Sequence, residues 1–324
     1  MLQSNGHSVP RPGWDRHWVA TNGARERGTV GSEPSVSSGG GRTQGVAGLS
    51  ALVTGGGSGI GLGTAARLVR DGVRVTICGR TEQKLRDAVA ELDGVAAAAA
   101  GSSTPGGTAS FVVADVTVEE QVAEAVKAAA SERGRLDILF ANAGGAAHMG
   151  PITGADLDQV RATVDVNLIG TFLCIKHAAP LMAAGVGTGV DGEEAAGGSI
   201  IGMSSGAGHF PHRYLWAYGA AKAGIDMLCK YAAEELGHTG VRVNSVQPGI
   251  IDDELMAPIT AGGALLDDYL AEMPVRRVGR VEDIAATVRF LAGPESEWIT
   301  GVSLAVDGGH HLRRGANYGL LFGE

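Results

Sequence analysis

From residue 49 onward, short β-branched runs alternate with alanine-rich segments of helical length. The runs are SALVTG, VRVTIC, SFVVAD, LDILFAN, GSIIGMSS, VRVNSVQPG and GVSLAVDGG. Each is nearly continuous in apolar residues, the pattern of strands buried on both faces of a parallel sheet. Between them the periodicity predicts helices over about 59–70, 81–92, 118–132, 155–183, 217–236 and 281–291. Repeated strand–helix units of this spacing predict one α/β domain over residues 49–310: a doubly wound parallel sheet of about seven strands with helices on both faces. Two stretches low in bulky apolar residues, about 95–109 and 183–198, are expected to be peripheral loops.

Residues 1–48 break this pattern. They are rich in Gly, Ser, Pro and Arg, show no period, and predict a flexible N-terminal extension. Trp14 and Trp18 are unusual in such a segment. Residues 311–324 read as a C-terminal tail that either reaches a neighbouring subunit or is disordered. Apolar residues make up 44% and charged residues 19%, as in ordinary globular chains. A net charge of −9 argues against a general affinity for nucleic acid or acidic membranes. No apolar run reads as long enough to span a bilayer, and no hydrophobic signal segment opens the chain. Cys78, Cys174 and Cys229 lie in apolar runs without metal-ligand spacing, so buried thiols in a reducing, cytoplasmic setting are expected.

The candidate chemistry begins after the first run. In ALVTGGGSGIGLG, the pattern Thr54-Gly55-x-x-x-Gly59-x-Gly61 joins a buried strand to a helix. Glycines there let backbone approach a ligand closely, and the helix start offers free N–H groups to a pyrophosphate. Alone the loop is weak, since glycine-rich turns also serve plain geometry. Its position makes it a candidate dinucleotide site in a Rossmann-like fold, formed by Gly55, Ser58, Gly59, Ile60 and Gly61. No GK[ST] follows, which excludes an ATPase loop. The second run ends at Cys78-Gly79-Arg80, where an acidic residue would take the ribose hydroxyl of NAD. Arg80 suits a 2′-phosphate, so NADP is preferred over NAD.

In YGAAKAG, Tyr218 and Lys222 are four residues apart and would share one helix face. A lone tyrosine–lysine pair could be coincidence on a solvated helix. Several further motifs fall in order around it, and with them the chain resembles the short-chain dehydrogenase/reductase family, in its compact single-domain branch. The likeness covers about residues 49–310. Thr54, Gly55, Gly59 and Gly61 match the family's cofactor loop, and Asp115-Val116 the pair that holds the adenine. Asn142-Ala143-Gly144 matches the NAG motif, and Asn167 the active-site asparagine. Ser205 stands thirteen residues before Tyr218, the family's usual gap. Pro248-Gly249 matches the turn beside the nicotinamide, with the Ile251 backbone beyond it.

The resemblance implies an NAD(P)-dependent oxidoreductase interconverting a secondary alcohol and a ketone. Tyr218 would be the acid/base, Ser205 would bond the substrate oxygen, Lys222 would hold the nicotinamide ribose, and Asn167 a water leading to solvent. A free phenol has a pKa near 10, and lowering it by about three units takes roughly 4 kcal/mol, which Lys222 and the nicotinamide charge could supply. A serine nucleophile is excluded, because His209 and His212 carry no GxSxG-type motif. Asp253 departs from the family, which commonly has Thr there, and suggests a shifted lid. The substrate pocket is expected to draw on His148, Met149, His209, Phe210, Tyr214, Leu215, Met256 and Met273, the mix suiting a medium-sized, partly apolar alcohol or ketone. No metal is expected, the histidines lacking ligand spacing. The resemblance also implies a homotetramer or homodimer built on the long helices flanking the fifth strand. The rival from another class is a catalytically inactive, cofactor-sensing binding protein on the same fold. An enoyl reductase would space its tyrosine and lysine six apart, and six beyond Tyr218 stands Gly224. A sugar epimerase would need glycine where Ser58 stands.

Overall fold

The computed structural model describes residues 45–100, 106–130, 134–183 and 197–323. Residues 1–44 of the extension predicted over 1–48, with its two tryptophans, and most of the stretch at 183–198, lie outside the described residues; of the last four residues of that extension, Val46 is buried in the core.

The chain runs β1 (Ser50–Thr54), α1 (Gly59–Arg70), β2 (Arg74–Gly79), α2 (Glu82–Ala99), β3 (Thr108–Val113), α3 (Glu119–Ala130) and β4 (Ile138–Ala141). It continues with α4 (Leu157–Val164), α5 (Gly170–Ala183), β5 (Ser199–Met203), α6 (Trp216–Leu236), β6 (Arg242–Pro248), β7 (Ile251–Asp252), α7 (Ala257–Thr260), α8 (Ala264–Glu272), β8 (Gly279–Arg280), α9 (Val281–Ala292) and β9 (Ser303–Val306). Seven strands form one sheet in the order β3-β2-β1-β4-β5-β6-β9, every pair parallel. The predicted doubly wound sheet is therefore present.

Period-two alternation divides the core. Leu52, Leu139, Ile200 and Val243 pack under α3, α5 and α6. Val53, Phe140, Ile201 and Val246, on the opposite face of the same strands, pack under α1, α2 and α9. The central strands β1, β4 and β5 are buried on both faces, as the apolar runs predict. The edge strands differ: β3 alternates between half-buried and exposed residues, and Leu304 of β9 is exposed, because one partner strand is missing on each edge.

Three expectations need correcting. The helix predicted over 81–92 continues to Ala99, so the first five residues of the expected 95–109 loop are helical. Alanine is the best helix former, and a lack of bulky side chains is no signal for a loop. The helix predicted over 155–183 begins at Leu157 and contains a π-turn over Asp165–Ile169, centred on Asn167. That run of 27 residues, Leu157–Ala183, contains an 18-residue window of mean hydropathy 1.3 and would qualify by length and composition as a bilayer span, which the sequence reading missed. Half of the window is buried within the fold, as befits a core helix between sheet and surface. Finally, the segment after β9 packs back on its own domain: Ala316 and Tyr318 are buried beside Leu265, Tyr269 and Met273 of the 251–278 segment. Residues 310–322 are thus neither a disordered end nor, in this arrangement, an arm extended to a neighbour.

The direction of winding reverses between β1 and β4. The chain first adds β2 and β3 on one side, then returns to place β4 on the other. At such a switch point the loops leaving the two strands diverge and open a crevice beyond their carboxyl ends.

Candidate active site

The crevice is a cavity of about 560 Å³ lined by the loops after β1, β2, β3, β4, β5 and β6, together with the 250–259 and 307–318 segments. Its floor is backbone. Gly61 opens α1 against the loop, and a Cβ there would collide with the Gly55 carbonyl and approach the Asn142 side chain to 2.7 Å. Ser58 takes the N-cap position with no side-chain hydrogen bond, and no acidic residue stands in the first turn, so the leading amides of α1 face the cavity. Thr54 ties this loop to β4: its Oγ1 accepts the backbone N–H groups of Asn142 (3.0 Å) and Ala143 (2.9 Å), while Asn142 Nδ2 donates to the Thr54 carbonyl at 2.9 Å. Glycine carbons, free amides and a positive helix end fit a dinucleotide pyrophosphate.

The remaining predicted cofactor residues border the same space. Gly55, Ser58, Gly59, Ile60, Arg80, Asp115, Val116, Asn142, Ala143, Gly144, Pro248, Gly249 and Ile251 all line it. Arg80 is exposed at its outer rim. Asp115 closes an Asx-type turn by accepting both the N–H and the hydroxyl of Thr117.

At the other end, α6 presents Tyr218 and Lys222 on one face, with the Lys222 ammonium 5.2 Å from the phenol ring centroid. Lys222 is buried, and its Nζ donates to the Met203 carbonyl at 2.7 Å. One turn further, Asp226 accepts from Ser245 Oγ (2.6 Å) and Gln247 Nε2 (2.7 Å), anchoring the helix to β6. Ser205, at the end of β5, hydrogen-bonds the Tyr218 hydroxyl and so favours its phenolate. Burial outweighs that bond and pushes the Tyr218 phenol up to about 12. It also pulls Lys222 down to about 7. Without the cofactor, desolvation penalises both charged forms, and the protein's own groups do not offset it; the expected lowering of the phenol depends on Lys222 together with the nicotinamide charge.

Asn167 sits behind this pair, off the cavity wall. Its Nδ2 donates to the carbonyls of Gly145 (2.6 Å) and Thr163 (2.7 Å), and its Oδ1 accepts the Gly145 N–H at 3.3 Å. Gly144 lets the two approach, since a Cβ there would lie 3.2 Å from Lys222 Nζ and collide with Asn167 Oδ1. The π-turn carries Asn167 inward to pin the loop after β4.

Of the expected substrate-pocket residues, Met149, Leu215 and Met256 line the cavity. His148 instead packs edge-on against Trp216, His209 is exposed, Phe210 lies against His212 and His310, and Met273 is buried in the neighbouring cluster. Tyr214 is turned under the Arg213 guanidinium. His212, Ile250, Ile259, Tyr269, Asp307, His310 and Tyr318 also line the cavity; His212, Ile259 and Tyr269 fall within the stretches expected to form the pocket, before Tyr218 and over 251–278, whereas sequence reasoning missed Ile250, Asp307, His310 and Tyr318. Asp253 also lines it; its Oδ1 caps the Met256 N–H at 2.9 Å, and its Oδ2 faces Gly59 across the mouth.

A glycine-floored crevice ending in a serine, tyrosine and lysine is the site of a nucleotide-dependent oxidoreductase. A family model described as enoyl-(acyl carrier protein) reductase matches residues 55–311. The cis-4-hydroxycyclohexanecarboxylate dehydrogenase of Sinomonas cyclohexanicum is 36% identical over 80% of this chain and 95% of that protein. The 2,5-dichloro-2,5-cyclohexadiene-1,4-diol dehydrogenase LinX of Sphingobium indicum is 33% identical over 82% of this chain and 96% of that protein. A short-chain type dehydrogenase/reductase from Mycobacterium ulcerans shares the fold with a TM-score of 0.79 and 41% identity, covering 86% of this chain and 94% of that one. The chain belongs to the short-chain dehydrogenase/reductase family, and is an NAD(P)-dependent enzyme acting on CH–OH groups. This sets aside the reading as an inactive binding protein.

Proposed function

We propose that the protein interconverts a cyclic secondary alcohol and its ketone with NADP as the preferred cofactor, Tyr218 moving the proton. The observation that carries the reading is the convergence of Ser205, Tyr218 and Lys222 at one end of a crevice floored by backbone amides. The relatives named for cyclohexane and cyclohexadiene alcohols support the ring.

The α1 amides and Gly55–Gly61 would hold the pyrophosphate, Asp115 and Val116 the adenine, and Lys222 the nicotinamide ribose. When bound, the nicotinamide supplies or takes the hydride. Ser205 donates to the substrate oxygen, where charge develops. In reduction, Tyr218 gives its proton to that oxygen, and a phenol at about 12 stays fully loaded for this at neutral pH. Lys222, poised near neutrality, stabilises the phenolate and passes a proton back. Asn167 holds the Gly144–Gly145 backbone against Lys222; the water path towards solvent rests on the family resemblance.

Arg80 stands where an acidic residue would select NAD, and its exposed guanidinium suits a 2′-phosphate. Exposed Ile169 and Phe172 beside and on α5, and Met227 and Tyr231 on α6, support a homodimer or homotetramer. The three buried, free thiols fit a cytoplasmic enzyme. Reduction of an enoyl group, the reaction in the matching model's description, is disfavoured by the four-residue step from Tyr218 to Lys222.

Fluorescence titration with NADPH and NADH in parallel tests the cofactor. Tighter NADPH binding, weakened about 10- to 100-fold by Arg80→Ala as expected for a charge-assisted contact, supports the proposal. Preference for NADH would overturn the role of Arg80, and failure of both to bind would overturn the reading as a whole.

A further inference from the structure

The end of the cavity beyond Tyr218 is walled by rings drawn from three distant parts of the chain. His212 comes from the loop before α6, Tyr269 from α8, and His310 and Tyr318 from the segment after β9. They form one contact network: His212 lies 5.7 Å from His310, 6.1 Å from Tyr269 and 6.2 Å from Tyr318, centroid to centroid. Tyr269 and Tyr318 share a hydrogen bond between their hydroxyls at 2.9 Å. All four side chains are at least nine-tenths buried, and Tyr218 packs on the same cluster.

Counting donors and acceptors shows what this wall lacks. Two phenols joined by one bond spend one proton and keep the other, whichever of them donates. His212 Nδ1 lies 3.2 Å from the Phe210 carbonyl, which can only accept, so Nδ1 carries the proton and Nε2 presents a lone pair. Burial holds His212 down to about 4 and lowers His310 as well, so both rings are neutral at physiological pH. His310 Nε2 is buried without any hydrogen-bond partner among the described residues. A buried polar atom left without a partner costs about 1–3 kcal/mol. The wall therefore offers one spare phenolic donor beside imidazole lone pairs, of which that of His310 Nε2 is without a partner among the described residues.

We propose that this wall is a subsite for a second, neutral oxygen of the substrate, a hydroxyl, so that the preferred substrates are diols and hydroxyketones. A hydroxyl both accepts and donates, and can meet the phenol and an imidazole lone pair together. A ketone oxygen only accepts. A carboxylate would bring a charge to neutral imidazoles and phenols, with Asp253 and Asp307 also lining the cavity and Arg80 at its outer rim. Leu215, Met256 and Ile259 line the same cavity and suit a hydrocarbon spacer. The inference rests on the alcohol–ketone reading and narrows it, away from the hydroxy acid named for one of the relatives.

The test compares cyclohexanone, 3- and 4-hydroxycyclohexanone, and 4-oxocyclohexanecarboxylate in steady-state reduction. Binding of cyclohexane-1,3- and -1,4-diol against cyclohexanol is measured by calorimetry. The wild-type protein should prefer at least one hydroxyketone over cyclohexanone by about 10- to 100-fold in kcat/KM, the factor for one or two neutral hydrogen bonds in a dry site. The double variant Tyr269→Phe/Tyr318→Phe, checked for native melting, should bring that ratio close to one, since either phenol alone keeps a free O–H, and His310→Phe should reduce it. Equal rates for hydroxyketone and ketone, a preference for the carboxylate, or a ratio unmoved in the double variant would each overturn the subsite. Turnover of cyclohexanone without discrimination sinks the subsite and leaves the alcohol–ketone reading standing. Diol binding lost in the double variant, with no turnover of any ketone, supports the subsite and sinks the reaction.

Discussion

The two ends of the crevice are built by different means. The cofactor end is made of backbone: Gly55, Gly59 and Gly61, the leading amides of α1, and the Thr54–Asn142 clasp. The substrate end is made of side chains that meet only in the fold, His212, Tyr269, His310 and Tyr318. Backbone recognition requires particular residues at fixed local spacing, because a single Cβ closes the approach. Side-chain recognition requires only that several elements arrive at one place, and many sequences can do that. On the proposed reading, the first end can change little and still work, while the second sets which alcohol is used.

The largest effect should come where the two ends meet. Tyr218→Phe removes the hydroxyl proposed to move the proton, and should lower kcat/KM by about 10²- to 10⁴-fold while cofactor affinity holds. A comparable rate in the variant would take Tyr218 out of the chemistry.

The cofactor end should fail on the addition of one methyl. Gly61→Ala must push the Gly55 carbonyl or the Asn142 side chain aside, and overpacking of this kind costs about 1–3 kcal/mol. We expect cofactor affinity to fall about tenfold or more, with a lower melting temperature. Unchanged affinity would mean that the loop is not the pyrophosphate cradle.

The smallest effect is in stability against pH. Lys222 titrates at about 7 in the fold against 10.5 ordinarily, so between those values the unfolded chain holds a proton that the fold has released. Stability should therefore rise with pH from about 7 towards 10.5, the full penalty applying below 7. Tyr218 works the other way, its phenol raised from 10.0 to about 12, so its contribution is lost as pH climbs through that interval. Lys222→Met should melt higher than the wild type at pH 7 and show a flatter curve up to pH 10. Parallel melting curves for the two proteins would contradict the burial of an ionisable lysine.

The same contrast explains what could be read in the sequence. The sheet was legible because its central strands are buried on both faces, and the cofactor loop because its glycines lie within seven residues of one another. Tyr218, Lys222 and Ser205 were legible through spacing. The ring wall was not, since positions 212, 269, 310 and 318 share no local pattern. One signal was nonetheless present. Leu265, Tyr269 and Met273 follow each other at helical intervals and mark the buried face of α8 and its end, a period for which no helix was predicted. Three of the five tyrosines (Tyr218, Tyr269 and Tyr318) converge on one cavity, notable in a chain with 5% aromatics. The helical extension to Ala99 was missed for a simpler reason, alanine having been read for its size instead of its propensity.

The most direct test of the account follows a labelled hydride. NADPH carrying deuterium at the transferable position of the nicotinamide is mixed with the protein and a cyclic ketone, and the alcohol is analysed by mass spectrometry. The account predicts one deuterium at the carbinol carbon of the product, formed by the wild-type protein and almost absent with Tyr218→Phe. An alcohol without deuterium, or the same yield from the variant, would contradict it.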